Sequence, residues 1–146
     1  MSRTFLDANV FLYALGAEHR YREPCRRILT LVGGGSSTAE TSVEVLQEVV
    51  HIRRHRTGDL EEAVARIHNI LALGLPVHGL SRDDFELALD LQLGTPSLSS
   101  RDAIHVATMR NREIGRIISA DRDFDTVEGI ERLDPLAASA LTALSH

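Results

Sequence analysis

The chain has 146 residues, enough for one well-filled core and too few for two ordinary domains. Its 43% apolar and 25% charged content is that of a globular protein, and its longest apolar run, Ala8 to Gly16, is too short to span a bilayer. The net charge of −5 excludes an overall basic footprint, and all 16 Lys-plus-Arg positions are arginine, which excludes a P-loop lysine, a Schiff base and a lysine-assisted aspartyl phosphate.

Cys25 is the only cysteine, so no internal disulfide forms, as suits a reducing compartment. The N-terminal residues lack the charged, apolar and small-residue order of an export signal. Both features predict a cytoplasmic protein, and residues 1–146 are read as a single domain.

In chain order, Arg3 to Leu6 is predicted as an apolar strand ending at Asp7, with a helix over about 9–15 closed by Gly16. Glu23-Pro24 opens a second helix with an apolar stripe of Cys25, Ile28, Leu29 and Val32, which the glycines after Val32 end. Ser36 to Thr38 reads as a weak, short strand. Thr41 or Ser42 caps a third helix to about His55, on which Glu44, Gln47, Glu48 and His51 form one polar stripe. Gly58 breaks it and Asp59 caps a fourth helix to about Leu73. Leu75 to His78 reads as the next strand, in an edge or early position because of Pro76.

Ser81 with Asp84 forms a capping box for a helix to Leu93, and a polar loop leads to a helix over about 101–112. Arg116 to Ala120 is the second clear strand, ending at Asp121; Glu131 to Leu133 is a last short strand, and Asp134-Pro135 opens a C-terminal helix. Strands alternating with helices predict a three-layer α/β/α sandwich around a mostly parallel sheet, with Asp7 and Asp121 on the same strand-end rim.

Each carboxylate on or near that rim has an ordinary structural reading. Asp7 suits a helix cap, with Asn9 either orienting it or capping in its place. Glu48 and Glu44 share the polar stripe, and spacing does not choose between them. Asp102 follows Ser99 by three, as in a capping box, and His105, one turn on, is placed to hydrogen-bond to it or simply to pack, the more common use of a helix histidine. Asp121, with Asp123 and Asp125 close behind, makes a turn whose like charges repel unless a cation sits among them. Taken together, oxygen ligands converging at strand ends suit a hard divalent cation such as Mg²⁺, and a pair of such ions can drive phosphodiester hydrolysis.

Other clusters carry less. His51 and His55 at i, i+4 lack a zincin glutamate and a third ligand. The arginine groups 20-22-26-27, 53-54-56 and 110-112-116 read mainly as solvated helix ends, with one group free to touch nucleic acid. Ser99 and Ser100 lack a His/Asp arrangement for a serine hydrolase.

Four segments in order, Leu6-Asp7-Ala8-Asn9-Val10, Thr41-Ser42 with Leu46-Gln47-Glu48, Ser99-Ser100-Arg101-Asp102-Ala103 and Ile118-Ser119-Ala120-Asp121-Arg122-Asp123-Phe124, resemble the PIN-domain ribonucleases. Among these the chain resembles the toxin half of a VapBC-type toxin–antitoxin pair. The resemblance implies an acidic quartet of Asp7, Glu48, Asp102 and Asp121, all expected as metal ligands, with Asp123 as an accessory acid. It also selects Glu48 over Glu44 and places Ser119 where a threonine is frequent. It further implies a Mg²⁺- or Mn²⁺-dependent endoribonuclease acting on RNA, a homodimer, and a cognate VapB-like antitoxin that inserts an arginine into the acidic pocket. A PIN nuclease of RNA processing without an antitoxin, and a catalytically silent interaction module, are the alternative readings.

Overall fold

Five short strands, all parallel, organise the molecule in a computed structural model that describes residues 2–145. They are β1 (Thr4–Leu6), β2 (Ala39–Ser42), β3 (Val77–His78), β4 (Arg116–Ile118) and β5 (Glu131–Leu133), in the spatial order β3-β2-β1-β4-β5. The helices are α1 (Ala8–Leu15), α2 (Arg22–Gly33), α3 (Val43–Thr57), α4 (Leu60–Leu71), α5 (Arg82–Gly94), α6 (Ser100–Asn111) and α7 (Ala138–Leu144), with a 3-10 turn at Arg122–Thr126. No helix among the described residues is long and apolar enough to cross a membrane.

The last two residues of β1 and of β4 are apolar because both faces of the sheet are covered there. Phe5, Leu6, Ile117 and Ile118 are fully buried, and β1 pairs with β4 from Thr4↔Arg116 to Leu6↔Ile118. The chain builds outward through β1, β2 and β3, then returns to place β4 on the other side of β1. Right-handed crossovers in opposite directions put α1 to α4 on one face and α5 with α6 on the other. The contacts agree: α1 packs on α2 and α3, α3 on α4, and α7 on α2, while α5 and α6 pair with each other. The reversal between β1 and β4 is a topological switch point, where open α/β sheets bind ligands beyond their strand ends.

Local chemistry sets the helix starts. Ser42, Asp59 and Ser99 accept from the backbone N–H three residues on, and Ser81 with Asp84 forms the full reciprocal box. Gly58, at φ 68°, closes α3 in a left-handed conformation that other residues rarely adopt.

Three predicted elements move. The second strand is Ala39–Ser42 rather than Ser36 to Thr38, although it carries only one apolar residue. Its polar side chains are satisfied by tertiary partners: Thr41 Oγ1 donates to the Leu6 carbonyl, and Glu40 meets Arg3 and His78. Ser37 instead bridges to Ser145. β4 stops at Ile118, because Ala120 N–H is taken by the side chain of Asn9 instead of a neighbouring strand. The last helix starts at Ala138, not at Asp134-Pro135, because the Asp134 carboxylate is occupied by Leu136 N–H, Tyr21 and Arg132.

Candidate active site

Asp7 ends β1 and caps α1, with Oδ1 accepting Ala8 N–H at 2.8 Å. The cap uses one oxygen only. Oδ2 accepts the Ser119 hydroxyl at 2.6 Å and the Asn9 amide at 3.1 Å. Ser119 Oγ in turn accepts from Asn9 Nδ2 at 3.0 Å and from Asp121 N–H at 3.0 Å, while Asn9 Oδ1 accepts Ala120 N–H at 3.1 Å. The ends of β1 and β4 are thus joined by side chains where the backbone ladder has stopped.

Asp121 caps the 3-10 turn through Asp123 N–H, which turns Asp123 toward the same place. From the other layer, α6 delivers Asp102 on its first turn. Ser99 caps that helix by accepting Asp102 N–H, but among the described residues no bond returns from the Asp102 carboxylate to Ser99. The carboxylate serves the cleft instead: ligand oxygens of Asp102, Asp121 and Asp123 all lie within 4.8 Å of one another.

Glu48 reaches the rim from α3 with its side chain 15% exposed. Its Oε1 lies 3.4 Å from His105 Nε2 and 3.6 Å from Arg101 Nε. His105 therefore partners Glu48 across the cleft rather than its helix neighbour Asp102, because its fully buried ring points toward α3. Glu44 lies one turn earlier and, with Gln47, Ser100, Arg101, Ile104 and His105, lines an adjoining cavity of about 320 Å³.

The electrostatics follow from crowding. Burial, followed by the charges of Asp7 and Asp121, pushes the Asp102 carboxyl up to about 7. Burial also raises Asp7, against the opposing charge of His105 and the Ser119 hydrogen bond. Burial opposes a charge on His105, but Glu48, Asp7 and Asp102 outweigh it and raise the imidazole. An all-oxygen set with a surplus of negative charge fits a hard divalent cation, whose charge would relieve the repulsion that Asp102 registers.

A family model for the PIN domain matches residues 4–130. Ribonuclease VapC13 of Mycobacterium tuberculosis and a VapC ribonuclease of Mycobacterium bovis are each 35% identical to this chain over 130 residues, covering 88% of it and 97% of their own length. The chain belongs to the PIN-domain family, among its VapC ribonucleases.

Solved structures agree on the fold of this VapC-family chain. M. tuberculosis VapC20, described as a toxin that cleaves the sarcin-ricin loop, superposes with a TM-score of 0.71 at 22% identity, covering 84% of this chain and 92% of that one. VapBC2 of Rickettsia felis, solved with a DNA fragment from its promoter, gives a TM-score of 0.69 at 14% identity over 90% and 98%. A PIN-domain endoribonuclease with an acidic group able to hold a divalent metal is the resulting description.

Of the residues predicted for the site, Asp102, Asp121 and Asp123 form the tight oxygen cluster. Asp7 joins them through Ser119, with Asn9 bonded to both, while Glu48 stands at the side with His105 and Arg101. The sequence under-read His105 and Arg101: a buried helix histidine resembles core packing until α3 is placed beside it. His51 and His55 lie edge to face with centroids 4.8 Å apart and, among the described residues, belong to no group of three ligands. Several arginines have structural work, since Arg53 bridges to Glu62 and the Leu15 carbonyl, Arg110 donates to the Glu128 carbonyl, and Arg112 grips Asp84.

Ser119 offers a direct check. Ser119→Ala removes the hydroxyl shared by Asp7 and Asp121 N–H and should cut RNA cleavage by roughly tenfold or more, in keeping with a charge-assisted hydrogen bond of about 1.5–3 kcal/mol. Ser119→Thr, which retains the hydroxyl, should keep most of the activity in the same cleavage assay.

Proposed function

We propose that this VapC-family ribonuclease is a toxin that hydrolyses RNA phosphodiester bonds with Mg²⁺ or Mn²⁺ held at the acidic quartet of Asp7, Glu48, Asp102 and Asp121, with Asp123 as the accessory acid beside Asp102 and Asp121. The observation that carries the reading is the meeting of three carboxylates, brought from α6 and the turn after β4, within 4.8 Å at the strand-end rim. The bound cation would supply Lewis-acid activation of water and charge stabilisation at the leaving oxygen. The chain's own residues fix the geometry. Ala8 N–H, Ser119 and Asn9 orient both oxygens of Asp7. His105 Nε2 faces Glu48 Oε1 at 3.4 Å and positions that carboxylate. Together they keep an anionic pocket compact before any RNA arrives.

The same pocket would attract a guanidinium, which supports control by a small VapB-like antitoxin offering an arginine. The proposed setting is one nuclease domain over residues 1–146, working in the cytoplasm beside its RNA and assembled as a homodimer. Purified protein incubated with total RNA and Mg²⁺ or Mn²⁺ is expected to give discrete cuts that EDTA abolishes and added metal restores. Intact RNA under every metal condition, from protein shown free of antitoxin, would exclude this function. Cleavage indifferent to EDTA would exclude the metal role.

A further inference from the structure

Both tyrosines of the chain, in a sequence only 4% aromatic and without tryptophan, lie together at the turn between α1 and α2. Tyr13 stacks on His19 with ring centroids 4.7 Å apart and on Tyr21 at 5.0 Å, the planes 24° apart in each pair. His19 and Tyr21 are separated by 5.8 Å and lie within 15° of parallel. The Arg20 guanidinium is 5.2 Å from the Tyr21 centroid. Hydrogen bonds hold the arrangement: His19 Nδ1 accepts Tyr21 N–H at 3.2 Å, and the Tyr21 hydroxyl donates to Asp134 at 2.8 Å.

Core packing accounts for Tyr21, which is buried, and partly for Tyr13, which is half-buried. It does not account for His19, an exposed ring held nearly parallel to two others. The position of the stack is informative. Tyr13 follows Asn9 by four residues, so it lies on the same side of α1 about 6 Å further along the axis. Asn9 bonds to Asp7 and Ser119. From the other end, Asp134 also accepts from Arg132, whose Nη1 donates to the Ser119 carbonyl. The aromatic group is thus tethered on two sides to the residue at the centre of the acidic rim.

A cation lies against it: Arg20 is exposed, with its guanidinium over the Tyr21 ring. Near-parallel rings flanked by an exposed arginine, beside a site for phosphodiester chemistry, match the way single-stranded nucleic acid is held: bases stack and a guanidinium grips the backbone. An apolar peptide would call for a groove rather than a tiled surface edged with charge.

We propose that the exposed ring of His19, backed by Tyr13 and Tyr21 and with Arg20 beside it, forms a stacking platform for an unpaired nucleobase flanking the scissile phosphate. The platform rests on the RNA cleavage proposed above, and its test separates the two. The full chain, His19→Ala and His19→Trp are compared for binding of a short unstructured oligoadenylate in EDTA and for its cleavage with Mg²⁺. His19→Ala should weaken binding and raise KM about five- to tenfold, the loss falling on KM rather than kcat, as for removal of one stacking partner. A fully paired duplex of the same length should be bound equally by both proteins. His19→Trp should restore affinity, and its indole, absent elsewhere in the chain, should be quenched when the oligoadenylate binds.

Unchanged affinity and KM in His19→Ala would overturn the platform while leaving the nuclease reading intact. So would an unquenched indole on a protein that still binds the oligoadenylate. Should the full chain cut no RNA at all, the quenching measurement still decides the platform, because it needs no cleavage.

Discussion

Asp102→Asn is expected to reduce RNA cleavage by at least about a thousandfold and, at the same time, to make the metal-free protein more stable above neutral pH. Both effects come from one carboxylate. As a member of the oxygen cluster with Asp121 and Asp123, it contributes negative charge that an amide lacks, so a hard cation loses a ligand. The stability effect follows from linkage. The folded chain holds the Asp102 carboxyl at about 7, well above the ordinary range that the unfolded chain restores.

A folded state that binds a proton more tightly than the unfolded state loses stability as pH rises from the ordinary carboxylate range to about 7, and the loss is complete above that. Asparagine never ionises and escapes it. Thermal unfolding in EDTA should therefore give Asp102→Asn the higher Tm at about pH 8, with the difference shrinking toward about pH 5. Added Mg²⁺ should raise the Tm of the parent chain and leave the variant unmoved. Full activity in the variant, or a lower Tm at alkaline pH, would contradict the role given to Asp102. Asp7→Asn and Asp121→Asn should likewise abolish cleavage with the fold preserved, read by the same RNA assay and by circular dichroism.

The second large effect is purely structural. Asp84, on the first turn of α5, is 1% exposed, and its carboxylate is surrounded by donors: Ser81 N–H at 2.9 Å, Asn111 Nδ2 at 2.8 Å and the Arg112 guanidinium at 3.0 and 3.2 Å. Arg112 also donates to the carbonyls of Thr108 and Gly79, and its own carbonyl accepts from Arg3. The cluster ties α5, the end of α6 and the segment leading into β1 together. Burial alone would raise the Asp84 carboxyl, but Arg112, Asn111 and Ser81 outweigh it and hold it at about 2.

Asp84→Ala leaves a largely buried guanidinium unpaired and unseats the capping box. It should cost about 3 kcal/mol, near the low end for a broken buried pair because Arg112 keeps some solvent. That corresponds to a fall of roughly 6–12 °C in Tm for a chain of this size. Because the cluster belongs to the α5–α6 layer and not to the acidic rim, kcat per folded molecule should hold at moderate temperature. The depressed value contributes stability that is present above the ordinary carboxylate range and is lost as pH falls toward about 2, so the parent chain should outlast the variant down to that limit. A urea midpoint unchanged by Asp84→Ala would refute the stabilising role.

Most of the architecture was legible in the residues themselves. Apolar β1 and β4, the serine and aspartate caps at Ser42, Asp59, Ser81 and Ser99, and the stops at Gly16 and Gly58 are local signals, set by backbone geometry and by side chains within three residues. The strand-end positions of Asp7 and Asp121 followed from them. β2 did not, because Ala39–Ser42 is polar in sequence and becomes buried strand only when Arg3, His78 and the Leu6 carbonyl arrive from elsewhere.

The site divides in the same way. Which carboxylates the chain possesses, and the absence of any lysine to replace a metal's charge, are properties of composition. Whether Asp102 completes a cap or faces a cation, whether His105 answers to Asp102 or Glu48, and whether Tyr13, His19 and Tyr21 meet at all are decided by helices crossing the sheet from residues far apart in the chain. Hydrogen bonds and charge repulsion act over a few ångströms, and only the tertiary fold sets which groups come that close.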